Sequence, residues 1–244
     1  MFYKQQLTKG FFSGGYTSSN VATADRTTYS TETTAAVSGA NLSQARRNLA
    51  AAGNIDKGFF SGGYTSSDVA TADRTTYSTE TTSAVSGANL SLARRGLSAV
   101  GNSDKGFFSG GTTGSYVATA DKTTYSTETT AAVSGANLSD ARQQLTAAGN
   151  ANRAFFCGGY TGTDVATADR TTYSTETTAA VSGANLSLAR RGLSAAGNAN
   201  RAFFCGGITS SDVATADRTT YSTETTAAVS GANLSLARRF LAAA

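Results

Sequence analysis

The sequence predicts an all-β chain that folds as a five-bladed β-propeller of four-stranded antiparallel blades. Three observations carry that expectation: a strict internal repeat, a four-strand pattern within each repeat, and two adjacent phenylalanines in every copy. The Gly-Gly pair falls at Gly14-Gly15, Gly62-Gly63, Gly110-Gly111, Gly158-Gly159 and Gly206-Gly207, each 48 residues after the last. Five such repeats nearly exhaust the 244 residues, so 1–244 is expected to be one propeller domain.

Each repeat breaks into strands by its turn residues. In the second copy the strand-like runs are 48–52, 58–61, 69–77 and 81–88, separated by Gly53-Asn54, by Gly62-Gly63 with Thr65-Ser66-Ser67, and by Ser78-Thr79-Glu80. A four-strand meander repeated every forty to fifty residues is the sequence form of a propeller blade. Phe59-Phe60 then reports on burial. Neighbouring strand residues point to opposite faces of a sheet, so two adjacent phenylalanines require both faces to be covered. A blade sandwiched between two others meets that requirement, and the pair recurs in all five copies. The first strand is small instead, as in Leu49-Ala50-Ala51-Ala52, which lets inner strands crowd near an axis.

Closure is expected from the two ends. Residues 237–244 copy the first strand of a blade and stop, while the N-terminal copy begins just before a second strand at Gly10-Phe11-Phe12. The C-terminal strand is therefore expected to pair with residues 10–15 as the innermost strand of the first blade, removing open sheet edges. Residues 1–4 are left over, either to fray or to cover that seam.

Composition excludes several chemistries. Charged residues are 15%, against about 25% in an ordinary domain, and Thr recurs in every strand-like run. The chain has no His, Trp or Pro, which removes imidazole bases, imidazole ligands and His-based triads. A net charge of +4 is mild and spread over repeated positions, so no nucleic-acid footprint is expected. Residues 1–9 lack the apolar core of a secretory signal and no run reaches membrane-spanning length, so a soluble product of cytoplasmic synthesis, with no membrane insertion, is expected. Cys157 and Cys205 occupy one column of adjacent repeats, too far apart for a disulfide, and read as free buried thiols.

Repeated polar pairs are expected to be structural. Asp73 with Arg74, and Glu80 with Arg94, recur in all five copies, whereas a catalytic centre is normally unique, so turn, ion-pair or interblade roles are favoured. Tyr77 and its copies are expected to pack, with a hydrogen-bonded hydroxyl. The Gly-Gly pairs precede no helix and no Lys-Ser or Lys-Thr, so they form no phosphate loop. No catalytic residue, no metal site and no cofactor is expected.

Variation between the copies gathers in the loop after Gly-Gly and in the turn between blades, at Gln44, Leu92, Asp140, Leu188 and Leu236, which share one face. Loops on a rigid scaffold are where binding residues concentrate. The candidate ligand-binding residues there are Tyr16, Asn20, Tyr64, Asp68, Tyr116, Tyr160, Asp164 and Asp212, whose side chains suit a glycan or a protein surface.

An aromatic-rich strand, Gly-Gly, a Tyr at Tyr77 and an Arg such as Arg94 opening the next inner strand together resemble the kelch motif, and the resemblance spans all five repeats. The outer-strand Trp usual in kelch blades is absent, with Ala84-Val85 in that region, and kelch propellers usually have six or seven blades. Near-identical blades with Thr-Thr-Tyr runs look like kelch-like repeats of bacteriophage tail or fibre genes and of cyanobacterial genomes. That resemblance implies a non-catalytic binding role, of fibre-tip or lectin-like type and virion-associated, and carries no catalytic residues. The alternative is a structural subunit that self-assembles as a homo-oligomer or packs in a larger complex, a designed or consensus repeat array included, because the outer strand Thr81 to Ala88 lacks charge and Pro and so does not defend its edge.

Overall fold

The computed structural model describes residues 8–242, and its strands follow the repeat. The first blade holds β1 (Lys9–Tyr16), β2 (Asn20–Thr28) and β3 (Thr33–Ala36); the second holds β4 (Ala50–Gly53), β5 (Lys57–Ser61), β6 (Ala72–Thr76) and β7 (Thr81–Ala84). The third, fourth and fifth blades repeat the four-stranded pattern, each pairing antiparallel in sequence order, and the five are arranged in a ring as a β-propeller.

Within a blade the small inner strand sets the spacing and the phenylalanine strand fills both faces. Ala51 stands opposite Phe60 and Ala52 opposite Phe59, and both phenylalanines are buried, at 6% and 0% exposure. The outer strand is shorter than the predicted 81–88. It ends at Ala84 because the Asn89 side chain accepts the Ala72 amide at 2.9 Å and the chain curls into a 3-10 turn, Ser86–Ala88, that buries Ala88 completely. The third strand likewise begins at Ala72 rather than at residue 69.

Blades are joined by one set of contacts used four times. From the first blade to the second, Phe11 stacks on Tyr77 with ring centres 5.4 Å apart, Arg26 reaches Glu80 at 2.6 Å beside Lys9, and the Thr82 hydroxyl donates to the Ala40 carbonyl at 2.8 Å. Beneath them Arg46 meets Asp73 at 2.8 Å, both side chains fully buried, and also donates to the Phe60 carbonyl at 2.9 Å. The next interface repeats this with Phe59 on Tyr125, Arg74 and Lys57 on Glu128, Thr130 on Ala88 and Arg94 on Asp121. Arg142 with Asp169 and Arg190 with Asp217 continue it.

Asp73, Arg74, Glu80 and Arg94 thus take the interblade ion-pair roles that their repetition favours, each with a partner from another blade. Asp73 and Arg74 are strand neighbours and face opposite sides, so one meets the preceding blade and the other the following blade. Lys9 and Arg26 hold the Glu80 carboxyl below its ordinary range by hydrogen bonding to it. Burial lowers the Arg94 guanidinium while Asp121 opposes that shift. Burial pushes the Tyr77 hydroxyl up to about 12, with Tyr29 adding to the shift. The hydroxyls of Tyr125, Tyr173 and Tyr221 are not hydrogen-bonded as expected: each is buried without a partner among the described residues, and that of Tyr125 presses against Gly106.

Between the fifth blade and the first, none of these contacts forms among the described residues. The equivalent partners would be Phe203 with Tyr29, Arg201 and Arg218 with Glu32, Thr34 with Ala232, and Arg238 with Asp25. Tyr29 and Phe12 are instead 43% and 45% exposed. Arg238 and Asp25 are exposed where their counterparts are wholly buried. The predicted clasp is not formed among the described residues: 237–242 form no strand, β1 pairs there only with β2, and the first blade shows three strands. A ladder near the axis runs from Asn48 to Gly96, Gln144, Gly192 and Phe240, each amide bonding the previous carbonyl at 2.7 to 2.9 Å, and does not return to Asn48. Four regular interfaces fix the path of the chain, and that path leaves the seam unsealed. Residues 243 and 244 of the expected clasp, and residues 1–4 read as fraying or covering the seam, lie outside the described residues.

Two contrasts test this arrangement. Phe59→Ala is expected to cost about 3 to 5 kcal/mol, the usual cost of emptying a packed aromatic site. Phe12→Ala is expected to cost roughly 1 kcal/mol because its ring is half in water already; urea unfolding of dilute protein measures both. In the same assay Arg94→Ala, which leaves Asp121 buried and unpaired, is expected to cost about 3 to 5 kcal/mol. Arg238→Ala is expected to stay within about 0.5 kcal/mol.

Candidate functional site

In the second to fifth blades the variable loop is fixed to the turn of the preceding blade by the Gly-Gly pair. Gly62 and Gly63 have φ of +72° and +110°, and a Cβ on either would lie 2.8 Å from a backbone carbonyl, of Arg94 and of Arg47. Only glycine permits that conformation and that approach. The chain then reverses at Tyr64, whose amide bonds the Arg47 carbonyl at 2.9 Å and whose carbonyl accepts the Arg47 amide at 3.1 Å. Loop and turn therefore present side chains on one face.

That pairing lays arginines over tyrosines. The Arg47 guanidinium sits 4.6 Å from the Tyr16 ring centre and 5.2 Å from that of Tyr64. Arg95 covers Tyr64 at 4.7 Å and Arg191 covers Tyr160 at 4.5 Å. Tyr116 meets Tyr160 edge to face, with centres 5.8 Å apart. Such cation–π contacts hold the rings flat without taking the face out of water.

The other candidates are already engaged. Asp68 pairs with Arg95 at 2.6 Å, Asp164 with Arg191 at 2.6 Å and Asp212 with Arg239 at 3.2 Å. Asn20 donates to the Tyr64 and Thr65 carbonyls at 3.1 and 2.6 Å, binding the first blade's loop to the second's. Of Arg47, Arg95, Arg191 and Arg239, Arg47 alone has no carboxylate partner among the described residues, because the Asp of its column is Asn20 in the first blade.

The arginine column was not singled out from sequence, although a signal was present. Asp68, Asp164 and Asp212 each accompany an Arg 27 residues later, while Tyr116 accompanies Gln143. The turns bring Tyr16, Arg47, Asn48, Arg95, Gln143 and Phe240 around one basin of about 700 Å³ at the end of the axis. Of the eight candidates, only Tyr16 lines it. On the opposite face, three grooves of about 400 to 420 Å³ lie between neighbouring blades, beside the ion-paired Lys57, Lys105 and Arg153.

Cys157 is buried and Cys205 half-buried, both as free thiols, and burial pushes the Cys157 thiol well above its ordinary range. Among the described residues no three Cys, Asp or Glu side chains gather, and no helix is long and apolar enough to cross a membrane.

The geometry defines a class, a five-bladed β-propeller of repeated blades with a tyrosine–arginine loop face. No protein-family model matches the chain, and no curated protein matches it. The kelch likeness accordingly rests on the blade motif.

Because the Asp68–Arg95 pair is partly in solvent, Asp68→Asn is expected to cost less than about 1 kcal/mol. Urea unfolding checks this, and a small loss means that the face can be altered without unfolding the blades.

Proposed function

We propose that this propeller is a non-catalytic recognition module that binds an acidic protein surface with its loop face. The observation that carries the proposal is Arg47, a cation without a carboxylate partner held between the rings of Tyr16 and Tyr64 at the rim of the axial basin. Tyr and Arg are the residues that dominate the centres of protein interfaces, where a flat ring and a fork of donors bury area at small entropic cost. An incoming Asp or Glu would complete for Arg47 the pair that Asp68 makes for Arg95.

A sugar site is less well served. It needs open ring faces to stack on and carboxylates to accept hydroxyls, whereas Arg95 covers Tyr64, Arg191 covers Tyr160, and the candidate carboxylates are paired. Repetition of the same buried Arg–Asp pair at four successive interfaces is the ground for proposing no catalysis.

Arrays of acidic peptides and of glycans, probed with the wild-type and Arg47→Ala chains, test the proposal. Binding to acidic peptides is expected to fall about tenfold or more in Arg47→Ala, as for loss of a close interfacial charge pair, and to be unchanged in Asp140→Ala. Glycan binding that survives Arg47→Ala and is lost in Tyr64→Ala would replace the proposal with a lectin-like site.

A further inference from the structure

The unsealed seam leaves two faces that are complementary to each other. The fifth blade presents Phe203, Arg201, Arg218 and, at its end, Arg238; the first presents Tyr29, Glu32 and Asp25. In each of the four internal interfaces the first set, from one blade, meets the second set, from the next, through a ring stack, a two-cation clamp on one Glu and a buried Arg–Asp pair. All of those interfaces have the same partners, so the seam lacks occupancy and not complementarity.

The backbone is also prepared. Glu32 holds φ at +52°, the left-handed value of Glu80, Glu128, Glu176 and Glu224. Those four carboxylates are gripped by cations of the preceding blade, while Glu32 is exposed and has no salt-bridge partner among the described residues. Left-handed backbone is costly for a residue with a side chain, so the turn at Glu32 is set for a clamp it does not have. Gly231 tells the same from the other side: a Cβ there meets nothing within 4 Å, whereas at Gly39, Gly87, Gly135 and Gly183 it would touch the next blade's Glu carbonyl.

From this we infer that the fifth blade of one copy docks on the first blade of a second copy, continuing the propeller head to tail. Within one chain the axial ladder ends at Phe240 and leaves Arg238, Asp25 and Tyr29 exposed, while a second copy can occupy the face with the four internal interfaces unchanged. The charges agree with this, since the donor face carries three arginines and the acceptor face two carboxylates. The interface is heterologous, so repetition yields a larger ring or an open filament. Blade one, which shows three strands among the described residues, would also gain an inner strand edge, with Ala242 of the incoming chain standing opposite Ser13 as Ala50 stands opposite Ser61.

Sedimentation velocity of the 244-residue chain over a range of concentrations tests the inference. Masses at multiples of 24.8 kDa that grow with concentration are expected. A chain carrying Asp25→Arg and Glu32→Arg, and another carrying Arg201→Ala and Arg218→Ala, are each expected to stay single; these side chains are exposed or half-exposed and are not needed within the blade. Mixed, the two are expected to form one-to-one dimers and nothing larger, since each supplies the intact face that the other lacks. Wild-type chain that stays at one copy throughout, or a mixture of the two variants that does not pair, overturns the inference. Arg47→Ala is expected to assemble like wild type, which separates this surface from the loop-face proposal.

Discussion

The structure depends on a buried arginine that leaves its own blade. Arg46, Arg94, Arg142 and Arg190 each cross into the following blade, meet an Asp there at 2.7 to 2.8 Å, and cap a phenylalanine carbonyl. Replacing a buried ion pair by apolar residues is often neutral, so the net stabilisation is not its main consequence. Its consequence is register: an unpaired charge at zero exposure is so costly that only one docking of blade on blade satisfies both partners. The aromatic stacks and the Lys and Arg clamps on each Glu then fall into place around it.

The same constraint explains the seam. Arg238 and Asp25 are the fifth such pair by sequence, yet both stand exposed, and with them go the Tyr29 stack and the Glu32 clamp. Sequence identity between repeats therefore does not produce identity of environment. Cys157 and Cys205 occupy equivalent positions, but one is buried and the other half-buried because the latter lies toward the unmatched face.

Much of the fold was legible because each local signal agreed with the others. The 48-residue period, the glycine pairs and the doubled phenylalanines all required sandwiched blades, and Phe59, Phe107 and Phe155 are fully buried. What was not legible concerns relations between blades. Asp73 and Arg74 look like a pair in one dimension, but the pleat sends them to different neighbours. Residues 237–244 look like a first strand because they copy one, yet 237–242 form no strand and, among the described residues, nothing pairs with the inner edge of β1. At the candidate site the tyrosines and loop carboxylates were visible as variation, while the arginines that cover or neutralise them lie 17 to 31 residues away in the turns between blades and were not singled out.

Amide hydrogen exchange, followed by mass spectrometry on protein dilute enough to be a single copy, tests most directly whether packing between blades sets the order of each blade. Protection in β5 and in the equivalent strands of the third and fourth blades is expected to exceed that in β1 by orders of magnitude, although their sequences are nearly the same. Equal protection in all five phenylalanine strands would contradict the account and show that the seam is sealed within one chain.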